Sequence, residues 1–242
     1  MSVSTRPIPI LTDNYAWLLL EPHAGFTGIV DPGEAAPVIA ALTAQGKGLD
    51  FIFLTHHHDD HIAGVPALVA AYPQARVVGH DNDARRLPKL DIPVHEGSML
   101  AFGTATVRVI ETPGHTRGHL AYYIADGGIL LTGDTLFSLG CGRLFEGTAA
   151  ELFDSLAKFS ELPDHTQLCA GHEYSAANAK FALSVDPTNK TLKARAQEIN
   201  TLRAQNLPTL PVSLGGERAT NPFLRAPTIE ALARLRAAKD VF

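Results

Sequence analysis

The sequence predicts an α/β fold in which sheets are covered by helices and a polar site runs along one sheet edge. Three observations predict it. Short β-rich runs alternate with Gly, Pro and Asp punctuation up to about residue 172. Helical patterns fall between some of these runs. Metal-capable side chains recur directly after apolar runs, where a strand end opens into a loop.

The strand candidates are residues 17–20, 28–30, 50–54, 76–79, 106–110, 120–124, 128–131 and 167–170. Helical patterns cover 35–45, 62–72 and 149–160. The first follows Asp31-Pro32-Gly33, a turn signal, and ends at Gly46, a glycine suited to the position after a helix end. From Ser175 the pattern is helical, with Asp186-Pro187-Thr188-Asn189 separating two helices. A Pro-rich stretch (207–214) and Gly215-Gly216 lead to Asn221-Pro222-Phe223-Leu224-Arg225. A last helix starts near Thr228, an N-cap without the acidic half of a capping box. This change of pattern divides the chain into residues 1–172 and 173–242, with no repeat and no low-complexity tract.

Composition narrows the function classes. The 242 residues are 45% hydrophobic and 19% charged, the profile of a globular protein long enough to bury a substantial core. The net charge of −5 and the lack of a basic run argue against nucleic acid. No apolar run approaches the ~20 residues of a membrane span, and the first seven residues lack the core of a secretion signal. Two cysteines are too few for a disulfide framework. A cytoplasmic enzyme, expected to be a monomer, is the plain reading.

The most informative stretch is Thr55-His56-His57-His58-Asp59-Asp60-His61, directly after Phe51-Ile52-Phe53-Leu54. Read as H-x-H-x-D-H, it offers His56, His58, Asp60 and His61. That is more side chains than one catalytic zinc takes together with its water, so two metals are expected. Three more apolar runs end in a glycine turn and a metal-capable residue: Pro113-Gly114-His115, Thr132-Gly133-Asp134 and Ala170-Gly171-His172. The natural partition gives one ion His56, His58 and His115, and the other Asp60, His61 and His172, with Asp134 bridging. Two carboxylates against two divalent ions leave enough positive charge to deprotonate a bridging water near neutral pH. Metal-assisted hydrolysis follows, with Asp60 and Asp134 as its catalytic carboxylates. Zinc suits this nitrogen and oxygen set, and so do iron and manganese. His57 and Asp59 alternate with the ligands and are read as supporting them. His119 is read as structural, and His23, His80, His95 and His165 as ordinary surface or turn residues. Cys141 is read as a small buried residue, since no partner base is evident.

T-H-x-H-x-D-H followed by a downstream His, Asp and His resembles the metallo-β-lactamase superfamily. Within it, the chain resembles the glyoxalase II (hydroxyacylglutathione hydrolase) family from Leu11-Thr12-Asp13-Asn14-Tyr15 onward. The further motifs are 132–137, Gly140-Cys141-Gly142-Arg143, Ala170-Gly171-His172-Glu173-Tyr174 and 221–225. The resemblance implies a four-layer αββα sandwich with a small C-terminal helical domain. It implies hydrolysis of S-D-lactoylglutathione to D-lactate and glutathione. It also implies that Tyr174 hydrogen-bonds the glutathione backbone while Arg143, Arg236 and Lys239 face the glycine carboxylate. Arg236 and Lys239 are spaced i, i+3, so both lie on one helix face. Some members carry lysine in place of Arg143 and tyrosine in place of Phe145, and the segment after Arg225 is short. The competing readings are persulfide oxidation at a single iron, cleavage of another substrate by the same fold, and a metal-stabilised binding module.

Overall fold

The computed structural model describes residues 2–242. Two six-stranded sheets pack face to face. The first holds, in order, β1 (Ser4–Ile10), β2 (Asn14–Leu20), β3 (Thr27–Val30), β4 (Phe51–Phe53), β5 (Arg76–His80) and β6 (Ile92–Val94). Its first three strands are antiparallel and β3 to β6 are parallel. The second sheet begins with β7 (Met99–Phe102), β8 (Ala105–Glu111), β9 (Leu120–Ile124) and β10 (Ile129–Gly133). A short ribbon of β11 (Leu136–Phe137) and β12 (Gly140–Cys141) follows, and β13 (Gln167–Ala170) and β14 (Val212–Ser213) complete that sheet.

Strand alternation explains the layers. Inward-facing Trp17, Phe51, Phe53, Phe102, Val107, Val109 and Tyr122 form the apolar layer between the sheets. Phe51, Phe53 and Phe102 lie 5.6–6.2 Å apart, centre to centre. Such aromatic pairs add about 0.5–1.5 kcal/mol each beyond their buried area. On the outer face of the first sheet, Leu18, Ile29 and Ile52 meet Val38 and Leu42 of α1 (Ala35–Ala44). The helical pattern at 62–72 resolves into α2 (Asp59–Ile62) and α3 (Val65–Ala71). The break falls at Gly64, with Pro66 in the first turn of α3, where its missing N–H costs nothing.

The other outer layer joins both halves of the chain. Leu152 and Leu156 of α4 (Ala149–Ala157) share a cluster with Phe181 of α5 (Ser175–Val185). After α6 (Lys190–Ala204), Leu214 of α7 (Leu214–Thr220) and Leu232 of α8 (Ile229–Asp240) join the same cluster. The α8 N-cap is Thr228, whose hydroxyl accepts from Ala231 N–H. Leu192, Ala196 and Ile199 of α6 pack on Ala179, Ala182 and Leu139. The four layers expected from the resemblance are therefore present. The C-terminal segment also adds β14 to the second sheet.

Several elements escape the sequence pattern. β1 carries Pro7 and Pro9, which a central strand excludes; it is an edge strand, where proline is tolerated. β6, β7, β14 and the ribbon strands are two to four residues long, too short for alternation to register. α7 opens on Leu214-Gly215-Gly216, which reads as a turn, and is capped by Ser213 accepting from Gly216 N–H.

Candidate metal centre and adjoining cavity

The first ligand group sits just past the end of β4. His56, His57 and His58 continue from that strand, and α2 carries Asp60 and His61. His115 follows β8, Asp134 follows β10 and His172 follows β13. Gly133 turns β10 away with φ +47°, a conformation that favours glycine. At Gly171 a Cβ would lie 2.6 Å from Asp134 Oδ1 and 2.8 Å from His61 Cε1, so only glycine lets this backbone pass the centre.

The structure brings all seven predicted residues together. His58 Nδ1 lies 3.0 Å from His56 Nε2 and 3.1 Å from His115 Nε2. His172 Nε2 lies 3.4 Å from both His61 Nε2 and Asp60 Oδ2. Asp134 stands between the groups: Oδ1 is 3.4 Å from His61 Nε2, and Oδ2 is 3.5 Å from His115 and 3.4 Å from His172. Asp134 Oδ1 is buried and has no hydrogen-bond partner among the described residues. An orphaned buried carboxylate oxygen among imidazole nitrogens is costly by itself and well served by a cation. The residues fit a divalent metal centre. His56, His58 and His115 form one compact set and Asp60, His61 and His172 another.

Four of the five ligand imidazoles, those of His56, His61, His115 and His172, have a partner on the outward-facing ring nitrogen. His61 Nδ1 meets Asp31 Oδ2 at 3.1 Å, and His172 Nδ1 meets Asp13 Oδ1 at 3.0 Å. His115 Nδ1 donates to Arg143 O at 2.8 Å. Thr55 Oγ1 lies 3.0 Å from His56 Nδ1 and itself donates to Asp31 Oδ2 at 2.7 Å. Asp31 and Asp13 were not legible as parts of the site. Asp31-Pro32-Gly33 reads as a turn, and nothing local ties either residue to histidines 30 and 159 positions away.

Electrostatics separate the two sets. Burial and neighbouring histidines push His56 and His58 below the ordinary imidazole value, and burial pushes His115 down despite Asp134. Burial also opposes charge on His172, but Asp134, Asp60 and Asp13 outweigh it and lift it to about 11. His61 is raised against its burial by Asp134 and Asp31. Asp60 and Asp134 are desolvated, yet the surrounding histidines hold both far below the usual carboxylate range.

His57 turns away from the centre to Asp83 at 3.1 Å, within a network in which Arg86 pairs with Asp83 and Glu146. His119 is fully buried and structural: Nε2 accepts Asp134 N–H at 3.1 Å and Nδ1 faces Thr112 Oγ1 at 2.9 Å. His80 departs from the surface reading. It is buried at the end of β5, with Asp81 at 3.1 Å and Glu111 at 3.2 Å from its two ring nitrogens.

A cavity of about 550 Å³ opens on the centre. One end is walled by His58, Asp60, His115, Asp134 and His172, the other by Arg143, Arg236 and Lys239. Tyr174 stacks on His172 at 4.5 Å and 8°. Arg143 is exposed. Arg236 is buried: Nη1 donates to Cys141 O at 2.8 Å and Nη2 to Asp240 Oδ1 at 3.0 Å. Lys239 Nζ lies 5.5 Å from the rings of Phe181 and Phe242. Phe145, exposed, packs its ring near His58 and His115. Cys141 is buried, and burial raises its thiol to about 11, which suits an unreactive side chain.

Two facing sheets between helices, with an H-x-H-x-D-H loop and later His, Asp and His ligands at one edge, define a metallo-β-lactamase-type protein. The family model for the metallo-beta-lactamase superfamily matches residues 12–172, and that for the hydroxyacylglutathione hydrolase C-terminus matches residues 173–242. The chain belongs to the hydroxyacylglutathione hydrolase family. It is 52% identical to the hydroxyacylglutathione hydrolase of Acidiphilium cryptum, over 97% of this chain and 95% of that protein. Against that of Rhodobacter capsulatus it is 51% identical, over 98% and 91%. Among solved structures, ETHE1 from Myxococcus xanthus superposes with a TM-score of 0.73 at 25% identity, covering 97% of this chain and 90% of that one. The TTHA1623 protein in a di-iron-bound form gives 0.58 at 30% identity, covering 70% and 91%.

Proposed function

We propose that the protein hydrolyses acylglutathione thioesters, S-D-lactoylglutathione foremost, to a 2-hydroxy acid and glutathione. The observation that carries this reading is one cavity with a metal-ligating end and a cationic end. An elongated thioester with an anionic tail matches that polarity, and hydroxyacylglutathione hydrolases are similar over nearly the whole chain. In this reading His56, His58 and His115 hold one divalent ion and Asp60, His61 and His172 the other, with Asp134 shared. Zinc is the first choice, iron and manganese the alternatives. When bound, the ions supply Lewis acidity for the thioester carbonyl and lower the pKa of water.

The chain's own residues do the rest. Asp31, Asp13, Thr55 and Arg143 O keep the imidazoles oriented. Asp60 and Asp134 stay ionised among the surrounding histidines and help hold the ions, while the water oxygen bonds the carbonyl carbon and releases a proton. The C–S bond then breaks and the thiolate takes up that proton. Arg143, Arg236 and Lys239 hold the anionic tail, and Tyr174 bonds the glutathione backbone. Residues 1–172 supply the metal ligands and 173–242 most of the glutathione contacts. The reading also takes the enzyme as a cytoplasmic monomer; no helix among the described residues is long and apolar enough to cross a membrane. The test is release of free thiol from S-D-lactoylglutathione by metal-loaded protein. Asp134→Asn protein that stays folded is expected to lose that release, and full activity in this variant contradicts the assignment.

A further inference from the structure

The cationic end of the cavity already contains a carboxylate. Asp240 Oδ1 lies 3.0 Å from Arg236 Nη2 and 3.8 Å from Arg143 Nε. Lys239, one residue earlier, forms no ion pair among the described residues; its closest acceptor is Ala177 O at 3.4 Å. Arg236 has Nη1 committed to Cys141 O and Nη2 to Asp240, while its Nε is buried without a hydrogen-bond partner among the described residues. A ligand carboxylate arriving at this wall therefore meets a guanidinium whose open prong is taken by Asp240.

We propose that Asp240 is a resident counter-ion that competes with the ligand's carboxylate for Arg236 and Arg143, and so limits how tightly the cavity holds an acidic glutathione-type ligand. The alternative is that Asp240 braces Arg236. The geometry speaks against it. Arg236 is anchored without Asp240, by its bond to Cys141 O and by the Phe223 ring 5.3 Å from its guanidinium carbon. Asp240 is the exposed member of the pair, with 42% of its side chain open against 6% for Arg236. It stands on the last turn of α8, where it can move aside. Carboxylate exchange on a guanidinium replaces one charge-assisted bond by another of the same kind, so the resident group subtracts from the ligand's gain.

The inference rests on the acylglutathione reading and is tested with S-methylglutathione and its glycine methyl ester, which lacks the glycine charge. Both are titrated into wild-type, Asp240→Asn and Asp240→Glu proteins. Asp240→Asn is expected to tighten S-methylglutathione by about two- to fivefold relative to the ester, the range of a partly exposed charge pair. The preference is expected to shrink as salt is added, and Asp240→Glu is expected to keep the wild-type ratio. Equal changes for both ligands, or weaker binding of the free acid by Asp240→Asn, would overturn the role of Asp240. Binding of neither ligand by the wild type would overturn the acylglutathione reading along with it.

Discussion

Asp31 supports His61 from behind, with Oδ2 at 3.1 Å from Nδ1 and both side chains buried. The same oxygen accepts the Thr55 hydroxyl, which lies against His56 Nδ1. One carboxylate thus orients an imidazole from each of the two ligand sets. Asp31 does this at a φ of +50°, a left-handed conformation that costs free energy for a residue with a Cβ and that Asp tolerates better than most.

Removing that support is expected to loosen both sets. Asp31→Ala protein should remain folded and lose about 10–100-fold in metal affinity, the usual effect of deleting a partner of a ligating histidine. Competition against a chromophoric chelator, with thermal melting on the same sample, checks this. Unchanged affinity contradicts the shared role of Asp31.

Gly171→Ala is expected to damage the site more than the fold. The new methyl would crowd Asp134 Oδ1 and His61, and overpacking of this kind costs about 1–3 kcal/mol. A melting temperature only modestly lowered, with a large loss of bound metal, is the expected pair of results. The reverse pattern contradicts the placement of Gly171 against the centre.

Metal uptake is expected to depend on pH differently in the two sets. Without metal, burial holds His58 and His115 below the ordinary 6.5, so at neutral pH each is a neutral imidazole with one ring nitrogen free to bind a metal. His172, lifted to about 11, carries a proton that a metal must displace. Affinity of the Asp60, His61, His172 set should therefore rise with pH from neutral toward about 11, while that of the other set stays flatter. Calorimetry in buffers of different ionisation enthalpy counts the released protons; no proton release on filling both sets contradicts this ordering.

Glu146 supplies an acid-limb prediction. Its bond to Arg86, helped by Arg117 N–H, lowers its carboxyl from 4.5 to about 2. A depressed folded value means stabilisation that is complete above pH 4.5 and is lost as the pH falls from there toward 2. Urea unfolding of wild type and Glu146→Gln should show a smaller fall in stability for the variant over that window. Identical slopes contradict the pairing.

How much was legible follows from what each feature needs. The ligand strands end in side chains whose chemistry is local, so His56, His58, Asp60, His61, His115, Asp134 and His172 stand out by residue type and by the strand–glycine–ligand pattern. Their mutual distances depend on parallel pairing of β10 with β13 and on how the sheets stack, which no local pattern encodes. Asp31 and Asp13 support histidines far along the chain; Asp31 sits in a turn signal and Asp13 in the motif at residues 11–15, and neither context names its histidine. The i, i+3 spacing of Arg236 and Lys239 shows only a shared helix face; the burial of Arg236 and its bond to Cys141 O join residues 95 positions apart, which no local pattern encodes. Two- to four-residue strands carry too few alternations to register, and the prolines of β1 hide an edge strand.

The most direct test is hydrolysis of S-D-lactoylglutathione measured together with metal content on the same purified protein. About two divalent ions per chain, thiol and D-lactate released in equal amounts, and loss of both metal and rate in the Asp134→Asn variant are predicted. Folded protein with both sets filled and no thioester cleavage would contradict the account, as would a single iron per chain with oxygen uptake on glutathione persulfide.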